Sequence, residues 1–192
     1  FEEFYVRGLS RRLLLKKSAS FETERAMISK LKNECGEQFT ARAEGMMKDL
    51  NESEQVMKEF VRVKGADLES KYKGIETHFY VLGESSWPVS TQQAATLPPL
   101  LKELQTDFEG YYKSRFQGRC LSWCVQMGTC SLEARFSEKI VKTLELSCAQ
   151  AVILLNFNQY EKIGYEQMQD LTGMSEDELK KQLISLSLME HQ

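Results

Sequence analysis

Apolar residues recur at helical spacing from the first position. Phe1, Tyr5, Leu9 and Leu13 fall every four residues, and Glu3 stands four residues before Arg7, the orientation that favours a surface ion pair on one helix. Ser20 is placed to cap a second helix, with Thr23 and Glu24 in its first turn, Met27, Ile28 and Leu31 as its buried stripe, and Gly36 just past its end. Phe39, Ala43, Met46 or Met47, and Leu50 predict a third helix. Asn51 or Ser53 would cap a fourth, with Val56, Met57 and Phe60 inward. Residues 1–66 therefore read as most of an antiparallel helical bundle, its Met and aromatic stripe serving as core.

After a polar stretch at Lys64–Lys73, expected to be a linker, the period changes. Ile75, Thr77, Phe79 and Val81 alternate as a half-buried strand would, ending before Trp87-Pro88. Pro98 and Pro99 suit the start of a helix, because a first turn loses little from a missing N–H. Leu101, Leu104, Phe108, Tyr111 and Arg115 then follow at helical spacing. Leu121, Trp123 and Val125 point one way along a predicted strand; past a turn at Gly128, Leu132, Ala134 and Phe136 do the same, and Leu144 and Leu146 supply another short strand. Residues 75–147 are thus expected to form a mixed α/β domain, a hairpin-containing sheet backed by the Leu101–Arg115 helix. Residues 148–192 return to helix: an apolar helix at Ala149–Phe157, a short one at Tyr165–Leu171, a Thr172–Ser175 turn, and a third capped by Ser175, with Leu179, Leu183 and Leu186 inward. Short helix, Gly turn and longer helix make the helix-turn-helix core of a partial winged-helix domain. The fold class is α+β.

Composition narrows the function. With 192 residues and 42% hydrophobic content the chain can bury a real core, and a formal charge of −3 argues against a dedicated nucleic-acid binder. No apolar run is long enough to span a bilayer. Phe1 opens straight into an amphipathic helix with two early glutamates, unlike a signal peptide, and without an initiator Met, as expected of a segment of a longer protein. Five cysteines, Cys35, Cys120, Cys124, Cys130 and Cys148, are an odd number and read as reduced thiols. A zinc site from the last four is disfavoured. Cys120 and Cys124, if on one strand, would lie about 13 Å apart, too far for two thiolates at about 2.3 Å from one ion.

No catalytic set stands out. There is no phosphate-binding Gly-rich loop and no nucleophile elbow, and the only histidines, His78 and His191, give a cysteine nucleophile no evident base. No metal and no cofactor are expected. The helix-turn-helix invites a DNA-binding reading, but its second helix begins Glu176-Asp177-Glu178, carboxylates where phosphates would lie, offset only in part by Lys180 and Lys181. The basic cluster Arg7, Arg11, Arg12, Lys16 and Lys17 reads as a solvated or bundle-facing surface, or as a docking patch for an acidic partner domain.

A resemblance adds what these patterns cannot. FEEFY at Phe1–Tyr5, RRLL at Arg11–Leu14, the Lys17–Ser20 turn, ISKLK–ECG at Ile28–Gly36 and E-G-M-x-K-D at Glu44–Asp49 resemble the C-terminal half of a cullin, the elongated scaffold of multisubunit ubiquitin ligases. It continues through Gly83 to Trp87-Pro88, Leu97-Pro98, the Gly118, Arg119, Leu121, Trp123 set and AVILLNFN at Ala151–Asn158. The hairpin from Met127 to Phe136 is most similar to the fourth cullin subfamily. The resemblance implies a non-catalytic scaffold that docks a small RING-box protein, which in turn recruits the ubiquitin-conjugating enzyme, in the cytoplasm and nucleus. It also implies that the substrate-adaptor repeats and the modifier-acceptor lysine lie outside this chain, and that an extended strand of the RING partner joins the sheet. The expected docking face is Leu121, Trp123, Val125, Leu132, Ala134 and Phe136. Two rivals are a winged-helix DNA-binding protein with a helical dimerisation region and the distantly cullin-like subunit of the large mitotic ligase.

Overall fold

The structure is a computed structural model that describes residues 1–88, 95–137 and 139–188. His191 lies outside the described residues. The chain forms two compact units, Phe1–Val89 and Ser90–Gln192.

In the first unit, α1 (Glu2–Leu14) buries Val6, Leu9, Leu13 and Leu14. Phe1 departs from the expected stripe: it is 84% exposed and stacks on Phe39 at 6.1 Å instead. Helix α2 (Phe21–Cys35) begins as its sequence predicts, the Ser20 hydroxyl accepting the Thr23 N–H at 3.0 Å. It ends at Gly36, whose φ of +88° lies in the region that favours glycine. Of its predicted stripe, Ile28 is buried while Met27 is 46% exposed. Arg12 belongs to no open basic patch: its guanidinium makes a two-pronged bond to Glu24, at 2.7 and 2.9 Å, and Ser18 Oγ adds a third contact at 3.1 Å. Arg7 is likewise paired with Glu3, at 2.6 Å, so two members of the cluster are neutralised locally.

The expected third helix, fourth helix and linker are one element. Helix α3 (Glu37–Lys71) runs 35 residues without a break. Ser53 does not cap anything. It is fully buried, and its Oγ donates to the Val81 carbonyl and accepts the Val81 N–H, both at 2.7 Å. The polar Lys64–Lys73 stretch stays helical as far as Lys71 because it contains good helix formers and no proline, and ion pairs such as Lys58–Glu54 (2.7 Å) and Lys64–Asp67 (3.6 Å) support the exposed face.

Residues 75–88 form a strap over α3 instead of the predicted strand. Ile75, Thr77, Phe79 and Val81 are half-buried and Glu76 and His78 exposed, as the alternation predicts, but no ladder partner is present among the described residues. Phe79 meets Phe60 edge-on at 6.3 Å, Val81 is clamped by Ser53, and Asp49 Oδ2 accepts the Gly83 N–H and the Trp87 indole N–H at 2.7 and 2.8 Å. From Phe60 to Asp49 the helix advances about 16 Å, and the four steps of the strap from Phe79 to Gly83 supply about 13 Å of this if extended. Only an extended chain keeps pace. Gly45 permits the close approach: a Cβ there would collide with Ser86 Oγ. The E-G-M-x-K-D and Gly…Trp-Pro patterns are therefore two sides of one contact.

In the second unit, α4 (Pro99–Arg115) starts with proline at its first position and buries Leu104, Phe108, Tyr111 and Tyr112. Residues 119–124 are not the predicted strand but irregular chain, and Val125–Met127 is a 3-10 turn, which breaks the period-2 alternation between Trp123 and Val125. Among the described residues the sheet is limited to one antiparallel hairpin, β1 (Thr129–Ser137) and β2 (Ile140–Ser147), in the register Leu132↔Leu144 with an irregularity between Arg135 and Ser137. The α+β class stands; the larger mixed sheet does not. Helix α5 (Cys148–Asn156) follows directly, with Ser147 and Gln150 capping each other's main chain.

Helices α6 (Tyr165–Thr172) and α7 (Glu176–Ser187) flank the predicted turn, with Gly173 at φ +63°. Met168, Met174 and Leu179 meet Val152 and Ile153 of α5 in one core, with Leu183 and Leu186 at its margin. Ala95 joins that core and the Thr96 N–H reaches the Thr172 carbonyl at 2.6 Å, an addition its sequence did not announce. Among the described residues no helix is long and apolar enough to cross a membrane.

Candidate docking surface

The hairpin exposes main chain as well as side chains. Cys130, Leu132 and Ala134 alternate as half-buried positions with exposed Thr129, Ser131, Glu133 and Arg135; the alternation stops at Phe136, which is 69% exposed at the register irregularity. Opposite them, Leu146 is buried and Leu144 half-buried, while Ile140 near the turn is 50% exposed. The apolar face is thus covered at the α5 end and open towards the tip.

The hydrogen-bond phase identifies the free edges. The Cys148 N–H donates to the Gly128 carbonyl at 3.0 Å. Bonded and non-bonded pairs alternate along an antiparallel ladder, so Cys130, Leu132 and Ala134 turn their main chain towards β2, and Thr129, Ser131 and Glu133 turn theirs outward. On β2 the outward positions include Glu145 and Ser147. The Ser147 N–H is already taken by Gln150 Oε1 at 2.9 Å, so the cap closes that end of the β2 edge. The β1 edge has no adjacent strand among the described residues.

Trp123 is tied to α4. Its ring meets Phe108 edge-on at 6.1 Å, and its indole N–H donates to Glu109 Oε1 at 2.5 Å. That bond, with Lys113 beside it at 3.3 Å, holds the Glu109 carboxyl below the usual glutamate range against partial burial. Of the six predicted docking residues, then, Leu132 and Ala134 share the hairpin face, and Phe136 lies at the irregularity between Arg135 and Ser137 with no partner in the register. Trp123 anchors the preceding segment to α4, with Leu121 half-buried in that segment and Val125 half-buried in the 3-10 turn.

All five cysteines are free thiols, and burial pushes Cys148 up to about 11 and Cys130 in the same direction, so both stay protonated at neutral pH. The strand argument against a zinc site fails, since residues 120–124 are not a strand, but among the described residues no three His, Cys, Asp or Glu side chains are grouped to hold a metal. At the start of α7, Glu178 accepts from Gln182 Nε2 at 2.6 Å, and Glu176 and Asp177 remain exposed carboxylates, an unfavourable lead for a DNA-reading helix.

Comparison with known proteins defines the class. Residues 1–57 match the cullin alpha solenoid domain and residues 81–192 the cullin alpha+beta domain. The chain belongs to the cullin family. Cullin-4 of Dictyostelium discoideum is 40% identical over 189 residues, covering 97% of this chain and 23% of that protein. Cullin-4A of Mus musculus is 36% identical and Cullin-3 of Dictyostelium discoideum 37% identical, each over 187 residues, 97% of this chain and 24% of theirs. The chain spans about a quarter of the length of these curated relatives. Matches carrying different cullin numbers support the family without selecting one subfamily.

Proposed function

We propose that this region is part of a non-catalytic scaffold subunit of a cullin–RING ubiquitin ligase, and that it holds a small RING-box protein by accepting an extended strand on the outer edge of β1. The observation that carries the reading is that edge. Thr129, Ser131 and Glu133 present main-chain donors and acceptors at strand spacing, beside the half-buried face of Leu132, Ala134 and exposed Phe136. Strand addition uses such an edge for affinity and the adjoining side chains for specificity, while leaving the rest of the partner free to meet a conjugating enzyme. Trp123, with Leu121 and Val125 on either side, steadies the segment leading into the hairpin.

The same reading divides the chain into a bundle at 1–66, a mixed module at 75–147 and a winged-helix segment at 148–192, with residues 75–88 of the module packed on α3 in the first unit. It places the conjugating enzyme in indirect contact, leaves substrate adaptors to another region of the protein, and expects a cytoplasmic and nuclear location. The family resemblance of the hairpin to the fourth subfamily belongs to this proposal too.

Co-expression of the full-length protein with an intact RING-box subunit, and with one lacking its extended N-terminal segment, tests it. The intact subunit should co-purify and the truncated one should be lost. Equal recovery of both would overturn strand addition.

A further inference from the structure

Two cysteines meet at the root of the hairpin. Cys130 stands opposite Leu146 in the ladder, and the Cys148 N–H donates to the Gly128 carbonyl at 3.0 Å, which continues the ladder by one more pair. Gly128 is extended, at φ −75° and ψ 148°, so a side chain there would point to the same face as that of Cys130. Cys148 Sγ fills that place: a Cβ on Gly128 would lie 2.6 Å from it. The two thiols are therefore diagonal neighbours on one face, beside buried Leu146. They also sense each other, since burial first and Cys130 second raise the Cys148 thiol above its ordinary range.

The spacing decides what such a pair can hold. Diagonal residues of an antiparallel pair have Cα atoms about 7–8 Å apart, beyond the roughly 7 Å within which a disulfide closes without moving the backbone. An ion between two thiolates, each about 2.3 Å away, holds the sulfurs up to about 4.6 Å apart. It spans a diagonal that an S–S bond of about 2.05 Å does not. Among the described residues no third His, Cys, Asp or Glu side chain joins the pair, and the Glu145 carboxylate accepts from Ser131 Oγ at 2.8 Å. Four-coordinate zinc is left two ligands short. We propose that Cys130 and Cys148 form a two-thiolate site for a soft monovalent cation, Cu(I), which thiolate ligands favour. On binding, each sulfur forms one S–Cu bond and releases its proton to solvent; copper stays in the +1 state, and the occupied site carries one net negative charge. The inference is independent of strand addition at β1.

Anaerobic titration of the full-length protein with Cu(I), in competition with a chromophoric Cu(I) chelator, tests it on Cys130→Ser, Cys148→Ser and the double variant. Each single variant should weaken one tightly bound equivalent by about 100-fold or more, beyond what loss of an outer-shell contact costs. The double variant should lose that same single equivalent, because two thiols on one ion act as a unit. Cys35→Ser should leave it in place. Loss of two equivalents in the double variant would mean that separate thiols bind copper adventitiously, and would overturn the inference; so would binding that neither single variant changes. Thermal unfolding checks that the variants stay folded. Where one does not, the parental protein decides: one equivalent of Cu(I) should protect Cys130 and Cys148 from alkylation in parallel, and protection of only one of them, or of neither, would overturn the shared site.

Discussion

The strap on α3 and the β1–β2 hairpin both alternate apolar and polar side chains, yet they are held by opposite means. The hairpin is closed by its own main chain, pairing eight positions of β1 with β2, and its side chains are largely half-buried or exposed. The strap has no ladder among the described residues, and side chains of α3 hold it: Ser53 clamps Val81, Asp49 gathers Gly83 and Trp87, and Phe60 meets Phe79. Side-chain control makes the strap sensitive to single substitutions. Main-chain control makes the hairpin tolerant of side-chain changes and sensitive to loss of an N–H.

The largest effect should come from Trp87→Ala. The ring is 2% exposed, so truncation is expected to cost about 3–5 kcal/mol, read as a fall in the urea midpoint at unchanged slope. Phe136→Ala, at 69% exposure, should stay within about 0.5 kcal/mol of the parent. Equal losses for the two would break the comparison. Asp49→Ala comes next, at about 1–3 kcal/mol, because it strands two partly buried donors. Exchange of the Gly83 amide should quicken while the hairpin amides keep their protection.

A pH effect follows from the first unit. The two-pronged bond from Arg12 lowers the Glu24 carboxyl below its ordinary value, against the opposing effect of burial. The folded state therefore holds this carboxylate ionised to lower pH than the unfolded chain does. Its stabilising contribution is complete above the ordinary glutamate range, shrinks as pH falls through it, and is gone below the folded value. Unfolding midpoints of the parent should fall across that acid window more steeply than those of Glu24→Gln. Parallel curves would mean the pair contributes nothing. The smallest effect belongs to Glu3→Ala: its pair with Arg7 is about two-thirds exposed on both sides, so stability should change by less than about 0.5 kcal/mol.

Local chemistry was legible where one residue decides an element. Ser20, Gly36, Pro99, Gly173 and Ser175 each mark the helix boundary their side chains predict. The errors came from tertiary contacts. Ser53 reads as a cap because a hydroxyl before a hydrophobic run usually serves the nearest N–H, and nothing local says that Val81, far along the chain, will claim it. Leu121, Trp123 and Val125 alternate like a strand, but Glu109 captures the indole and the chain turns at Val125. Of the predicted surface, Leu132 and Ala134 keep their shared face because their alternation coincides with a real ladder, whereas Phe136 falls where the register slips. The β1 edge itself has no side-chain signature, since every extended residue carries the same main-chain groups.

The edge can be tested without disturbing the face. Proline removes an N–H, which an outer edge tolerates and a ladder position does not. Glu133→Pro places the change on the outward phase of β1, and Thr143→Pro, directly opposite, places it on the outward phase of β2. In the full-length protein, with thermal unfolding confirming that both variants stay folded, recovery of the RING-box subunit should drop about tenfold or more for Glu133→Pro and remain at the parental level for Thr143→Pro. Undiminished recovery with folded Glu133→Pro would contradict strand addition at β1.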